Sequence, residues 1–514
     1  MTTLFETKYE DKILGKLTTV DRVIFNGYLT SFYLPGFFKR FLSRQDVLLK
    51  DFSRHVQKAT ATIKQNALKT AEDAGRPYMY FKHTVRHKDD LAKRIAKKDG
   101  ITQGLICVLG TLELRHSFEI QPNKKTHQLD VVRRLRKCIH YYFYYIDSEF
   151  GLMHARVQSW FPFEIQVYIN GREWLARQLD KRGIGYQRYE NALLSIDDLK
   201  TAQRLCERLR HRKWPRYLNA VARRINPWLC VVRKHARGYY WVIDECEVAT
   251  DVMWRDRASL TRIMPELFDY AIRAFSATNV MRFLGRKFCI NGDVVTDHRR
   301  RPEGRRVKHR LKNNWLKMYD KYSVLRVETT INNPREFRVL RVFPTRKGRK
   351  KRRWYQMNKG VSNFWRYIQV AEKANERYLD ALAQAPIKGK AVTELDDLCR
   401  SRTIKGKQYP KFNPVSAQDC ALFRAVLAGE HLINGFRNRN LQAQLYSKPP
   451  SSPQEANSRC SRVCRLIRKL RGHRLIAKVP RSRLYRVTAR GQRIMSAALL
   501  YRDVGFPDTL ASAA

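Results

Sequence analysis

EANSRCSRVCRLIRKLRGHRLIAKVPRSRLYRVTARGQR, residues 455–493, decides the fold of the C-terminal part of the chain. Val463, Leu466, Ile467 and Leu470 recur at i, i+3, i+4 and i+7, the spacing of one apolar helix face. Ser458, Arg462, Arg465 and Lys469 share the opposite face. LIAKVP and RSRLYRVT are short strand patterns separated by Pro480 and basic residues, and ARGQRIMSAALLY reads as a closing helix. Upstream, SAQDCALFRAVLAGE opens on Ser416, a good N-cap, and GFRNRNLQAQLY makes a second short helix.

Helix, helix, helix, strand, basic turn, strand, helix is the order of a winged helix. In such a domain the third helix enters the major groove and the wing touches phosphate. The run HRLIAKVPRSRLYRVTARGQR resembles the wing of MarR-type bacterial winged-helix proteins. A winged-helix DNA-binding domain is therefore expected over 415–514. Ser458, Arg462, Arg465 and Lys469 would face the groove, with Arg481 and Arg483 on phosphate. Winged helices also dock proteins, but the excess of arginine on the exposed face favours nucleic acid.

Working outward, the whole chain carries 102 Lys and Arg against 47 Asp and Glu, a net charge of +55. A polyanion is the natural partner for such a charge. Hydrophobic residues reach 43%, which excludes a disordered basic tail. No apolar run approaches the roughly 18 residues that span a bilayer, and MTTLFETKYEDKILGK lacks a signal-peptide core, so a cytoplasmic protein without a membrane partner is expected. Ten cysteines form no CxxC pair, and Cys460 and Cys464, one helical turn apart, read as helix packing in a reducing compartment.

The fold class expected is α/β (α+β) and multidomain, with mixed sheets ahead of the winged helix. Residues 1–225 read as an α/β domain. Its signals are a strand in TTVDRVIFNGYL, helices at 54–74 and 88–100, and strands at 104–114, 140–150 and 153–171. Residues 226–345 read as an α+β domain with strands in WLCVVRKHARGYYWVI and YSVLRVETTI around a helical stretch near 258–285. Residues 346–414 read as a basic segment, a long helix at 361–385 and a polar linker.

Two basic blocks end in aromatics. DHRRRPEGRRVKHRLKNNW offers Arg299, Arg300, Arg301, Arg305 and Arg306 ahead of Trp315. RKGRKKRRWY offers Lys347, Arg349, Lys350, Lys351, Arg352 and Arg353 ahead of Trp354 and Tyr355. Lys and Arg neutralise phosphate, and a neighbouring aromatic can stack on an unpaired base.

The central motif is LKMYDKYSVLRVETTINNP, residues 316–334. Alternation puts Val324, Arg326 and Glu328 on one strand face and Leu325 and Val327 on the other. In one reading Glu328 forms an ordinary ion pair with Arg326. In the other it joins Asp320 and a third acid to hold Mg²⁺, while Lys317, Lys321 or Arg326 steadies phosphate. The segment resembles the "YDK…RxE" region of rolling-circle replication initiators, which implies metal-dependent strand nicking; the HxH metal motif of many such enzymes is absent here. Asp147 and Glu149 at the end of YYIDSEFG, and Asp21 before another strand, are further acids, with Asp147 the expected third catalytic carboxylate. No Walker A loop, HExxH or GxSxG occurs.

The sequence thus predicts a nucleic-acid-binding protein of mobile-element or replication type. Its partner is DNA, with RNA an alternative, and metal-dependent cleavage by a nuclease, nickase or transposase is the expected chemistry. The rival is a non-catalytic transcriptional regulator or RNA-binding protein. Convergence of Asp147, Asp320 and Glu328 in space separates the two.

Overall fold

The structure is a computed structural model that describes residues 3–32, 34–83, 87–232, 238–285, 294–301, 304–344, 350–385, 396–404, 406–480 and 482–505. The strands that build its main body are β1 (Ile13–Leu29), β2 (Tyr78–Phe81), β3 (Gly104–Asn123), β4 (Gln128–Asp147), β5 (Gly151–Gln158) and β6 (Ile165–Asn170). A small hairpin of β7 (Tyr186–Tyr189) and β8 (Ala192–Ile196) follows. Then come β9 (Tyr239–Trp254), β10 (Val294–Arg301), β11 (Gly304–Leu311), β12 (Asn314–Lys321) and β13 (Val324–Ile331). A two-stranded ribbon of β14 (Arg338–Pro344) and β15 (Lys350–Gln356) closes the set.

Eleven strands join in one sheet, in the order β10-β11-β12-β13-β9-β1-β6-β5-β4-β3-β2. Every pairing in it is antiparallel except β2 on β3. The chain is an α/β mixed, multidomain protein, as its patterning requires. The sheet nevertheless crosses the boundary drawn at 225/226. β1 pairs with β9 from Ile13↔Trp254 to Leu29↔Tyr239, and one apolar core runs from Phe5 to Ala385. The two regions had looked separable because the helices between Gly171 and Val232 interrupt the strand pattern.

The helix Phe364–Leu382 covers one face of the central strands. Its Asn375 donates to Val248 O and Thr250 Oγ1, each at 3.1 Å, and accepts from Thr329 Oγ1 at 2.7 Å. Val248, Thr250 and Thr329 therefore face the core. Their neighbours Glu247, Asp251 and Glu328 face the other way.

One local expectation changes. WLCVV begins as a helix, Trp228–Val232, with the Trp228 ring packed against Phe161 and Phe163. In the basic run 346–353, Lys350–Arg353 belong to β15, paired with β14. Lys347 and Arg349 lie outside the described residues, as do the side chains of Arg301, Lys350 and Lys351.

The terminal domain has its own core. A hairpin of β16 (Arg402–Ile404) and β17 (Lys407–Tyr409) precedes the helices Ala417–Leu427, Asn438–Leu445 and Pro453–Gly472. These lead to β18 (Ile476–Lys478), β19 (Tyr485–Val487) and the closing helix Ala489–Leu500. Phe436 pairs with Tyr485 as the short third strand. Val463, Ile467 and Leu470 are buried with Phe423, Leu441 and Met495, while Leu466 is half-buried at the margin. Leu398 and Phe412 join this core, so the domain reaches upstream of 415 into the supposed linker. No described helix is long and apolar enough to cross a membrane.

Candidate active site and nucleic-acid interface

The polar face of β12, β13, β9 and β1 carries the candidate site. β1 pairs Val20 with Val248 and then Arg22 with Glu247, so Asp21 is the extra residue of a bulge. The bulge lets Asp21 and Arg22 both line one cavity of about 470 Å³, with Glu247, Glu328, Lys317 and Tyr319. One carboxylate oxygen from each of Asp21, Glu247 and Glu328 lies within 4.8 Å of the other two. Asp21 is 7%, Glu247 4% and Glu328 2% exposed, which places them on the cavity floor.

Lys317 sits among these acids. Its Nζ donates to Glu247 Oε2 at 2.8 Å and forms a short ion pair with Glu328 Oε1. The Tyr319 hydroxyl donates to Glu328 Oε2 at 2.7 Å, and the Thr330 hydroxyl to Glu247 Oε2 at 2.8 Å. Burial and then the Glu328 charge push the Glu247 carboxyl up to about 8. Burial would raise Glu328 too, but Lys317, the hydrogen bond with Glu247 and Arg326 outweigh it and hold that carboxyl down to about 2. The pair shares one proton, held by Glu247 at neutral pH.

A second buried network braces the first. Arg326 donates to Asp251 from Nε at 2.8 Å and Nη2 at 3.1 Å, and Arg172 ion-pairs with both Asp251 and Asp21 at 2.5 Å. Against burial, Arg172 and Arg326 hold Asp251 low. Arg172 reaches the site because Gly171 starts its helix against β1: a Cβ there would lie 2.3 Å from Val20 O.

Of the three carboxylates expected to converge, only Glu328 is in the cluster, and its partner is Lys317 rather than Arg326. Asp320 lies between Tyr319 and Lys321, which line the cavity, so it points to the opposite face, where burial raises its pKa. It cannot share a metal with Glu328. Asp147 ends β4, three strands from β1 and so roughly 14 Å away. It accepts from the Glu149 and Phe150 amides, the role of a turn cap. Asp21 and Glu247, not Asp147 and Asp320, lie beside Glu328.

Glu247 was missed because ECEVATD, 245–251, breaks no long apolar run. Its acids alternate, however, with Glu245, Glu247 and Asp251 all on one side of a period-2 pattern.

The basic residues divide. Arg299, Arg300, Arg305, Arg352 and Arg353 are exposed, and Arg306 lines the cavity. On the third helix of the terminal domain Ser458, Arg462 and Arg465 are exposed, as is Arg483 in the wing. Lys469 does not point freely outward: it bonds Asp419 at 3.1 Å and lies 3.9 Å over the Phe412 ring. Arg468, exposed on the same helix, was overlooked. Arg481 lies outside the described residues. No family model, no curated protein and no solved structure matches this chain.

Proposed function

We propose that this chain binds nucleic acid and performs divalent-metal-assisted phosphodiester chemistry at Asp21, Glu247 and Glu328. The observation that carries this reading is the approach of three buried carboxylates, within 4.8 Å, on the floor of a polar cavity rimmed by Arg22, Arg305, Arg306 and Lys308. Hard oxygen ligands suit Mg²⁺, and a bound Mg²⁺ would polarise a phosphoryl oxygen and activate water. The surrounding cations suit the phosphates themselves. The terminal domain holds duplex DNA through Arg462, Arg465 and Arg483. RNA fits the sheet face equally well. A winged helix coupled to strand cleavage suits the replication or movement of a genetic element. The described cysteines are all free, which fits a cytoplasmic setting.

Two observations favour a non-catalytic nucleic-acid-binding protein: Asp147, Asp320 and Glu328 do not converge, and Lys317 already neutralises Glu247 and Glu328. The deciding experiment incubates the purified protein with labelled single- and double-stranded DNA and RNA, with and without Mg²⁺ or Mn²⁺. Metal-dependent cleavage that Glu328→Gln and Asp21→Asn each abolish supports the first reading. Binding without cleavage in any metal selects the second.

A further inference from the structure

The basic strip beside the carboxylates is built for one kind of ligand. On β11, Arg306, Lys308 and Arg310 alternate onto the cavity's face, opposite Tyr319, Lys317 and Trp315 of β12. Arg299 of β10 extends the strip, directly opposite Arg306. Lys308 faces Lys317 across the strands and lies 3.8 Å over the Trp315 ring. Lys308 also has Asp297 opposite it on β10, and Lys317 is paired with Glu247 and Glu328, so these two cations are partly offset, and the excess positive charge of the strip lies on Arg299, Arg306 and Arg310 beside them. Among the described residues none forms an ion pair with Lys308 or Arg310, and burial, then Lys317 and Arg306, push the Lys308 pKa down. The strip runs from the sheet edge toward the buried acids, across strands spaced about 4.8 Å apart.

We infer that the face formed by β10, β11 and β12 is a track for an unpaired nucleic-acid strand, feeding one nucleotide at a time toward the acidic floor. The inference rests on the reading above and names its substrate class. Size sets the preference. The cavity holds about 470 Å³, and the carboxylates lie at its bottom. A base-paired duplex presents its phosphates on a rigid cylinder that cannot enter such a space. A single strand can bend in, lay its phosphates on the alternating cations and stack a base near Trp315. Duplex binding is left to the terminal domain, so the two surfaces read different forms of nucleic acid.

The test uses the full chain in EDTA, with fluorescence anisotropy of a labelled oligothymidine of about 15 residues, an oligouridine of the same length and a duplex of the same length. The triple variant Arg306→Ala/Lys308→Ala/Arg310→Ala is expected to lose about tenfold or more in single-strand affinity and to bind duplex within about twofold of wild type. Arg310→Ala alone, at an exposed position, is expected to move single-strand affinity in the same direction. The two oligomers separate DNA from RNA as the source of the strand. Equal losses for strand and duplex, or an unchanged single-strand affinity in Arg310→Ala and the triple variant alike, overturn the track. Since no metal is present, this outcome is independent of whether the carboxylates bind one.

Discussion

Replacing Lys317 by methionine tests whether the carboxylates form a metal site or only an ion-pair network. Lys317 is buried and pairs with both Glu247 and Glu328. Methionine keeps the aliphatic stem and leaves Glu328 without its cation. Removing one partner of a buried pair costs about 3–5 kcal/mol. The lower end applies here, because the Tyr319 hydroxyl and the proton on Glu247 still stabilise the Glu328 charge. An unfolding entropy of about 2.1 cal/mol/K per residue makes each kcal/mol worth roughly 1–1.5 °C for a body the size of the main sheet domain. The variant should therefore melt roughly 3–4.5 °C below wild type. Mn²⁺ at about 100 times its Kd then restores about 2.7 kcal/mol, or roughly 3 °C, by binding the folded state alone. In wild type Mn²⁺ must first displace the ammonium, so its effect there is smaller. Thermal melts of both proteins across a Mn²⁺ titration read the difference, with Lys317→Met/Glu328→Gln as the control that should not respond. A folded, destabilised Lys317→Met that Mn²⁺ stabilises no more than wild type refutes the metal site.

Further outcomes follow from the same geometry. Because burial and Glu328 raise Glu247 from 4.5 to about 8, the apo site carries a proton at pH 7 that a metal must expel. Mn²⁺ affinity should climb with pH and level off near 8, with calorimetry in two buffers of different ionisation heat showing proton release at pH 6.5 and none at 9. The same raised pKa gives stability that is complete below 4.5 and lost as pH rises to 8, so Glu247→Gln should flatten the stability profile between about pH 4.5 and 8. Asp251→Asn removes the charged partner of the buried Arg326 and one of the two that Arg172 holds, and should cost about 3–5 kcal/mol, seen as a lower denaturation midpoint. A fragment spanning 396–505 should fold and bind duplex DNA. In it Arg462→Ala and Arg465→Ala should each relax sequence discrimination by about 1–3 kcal/mol, while Arg483→Ala weakens all sequences alike. Ile467→Asp should unfold the fragment by burying an unpaired charge, which circular dichroism detects.

The terminal domain was legible because its signals are local. The i, i+3, i+4 pattern of Val463, Ile467 and Leu470 and the Pro480 turn each act within a few residues. Leu466 and Lys469 were misplaced by a fraction of a turn, since periodicity fixes a face but not its margin. The great sheet was less legible. β3 and β4 run about twice as far as their apolar centres suggest, because the stretch from Leu112 to Lys137 pairs as a hairpin whose many charged residues interrupt its apolar positions, although Phe118 and Val131 are buried in the main core. The site was half legible for a related reason. Glu328 and Lys317 lie on sequence-adjacent strands, so one motif contains both. Asp21 and Glu247 are more than 200 residues apart and meet only because β1 pairs with β9. Neither acid has a local sign that it will be a neighbour of Glu328.

Charge balance explains which carboxyl holds the proton and what a metal would change. Four carboxyls are buried in this layer: Asp21, Glu247, Asp251 and Glu328. Three buried cations reach them: Arg172, Lys317 and Arg326. The half-exposed Arg22 also reaches Glu247, at 3.4 Å, but is shared with Glu245 at 2.8 Å, and Lys321 pairs with Glu190. One of the four acids therefore lacks a full buried partner and favours the neutral form. Glu247 is that acid, since burial and Glu328 raise its pKa. An arriving divalent cation adds two positive charges. Ionising Glu247 takes up one, and withdrawing the Lys317 ammonium removes the other, so the layer returns to neutrality. Were a metal to displace it, the ammonium could turn toward the cavity that Arg306 and Lys308 line. There it would meet the phosphate that a nucleic-acid substrate brings. On the proposed function, Lys317 would be the internal cation of the site without metal and a phosphate contact once a metal is bound. A lysine suits this exchange better than the guanidinium groups of Arg172 and Arg326, whose hydrogen bonds to Asp251 fix them in place.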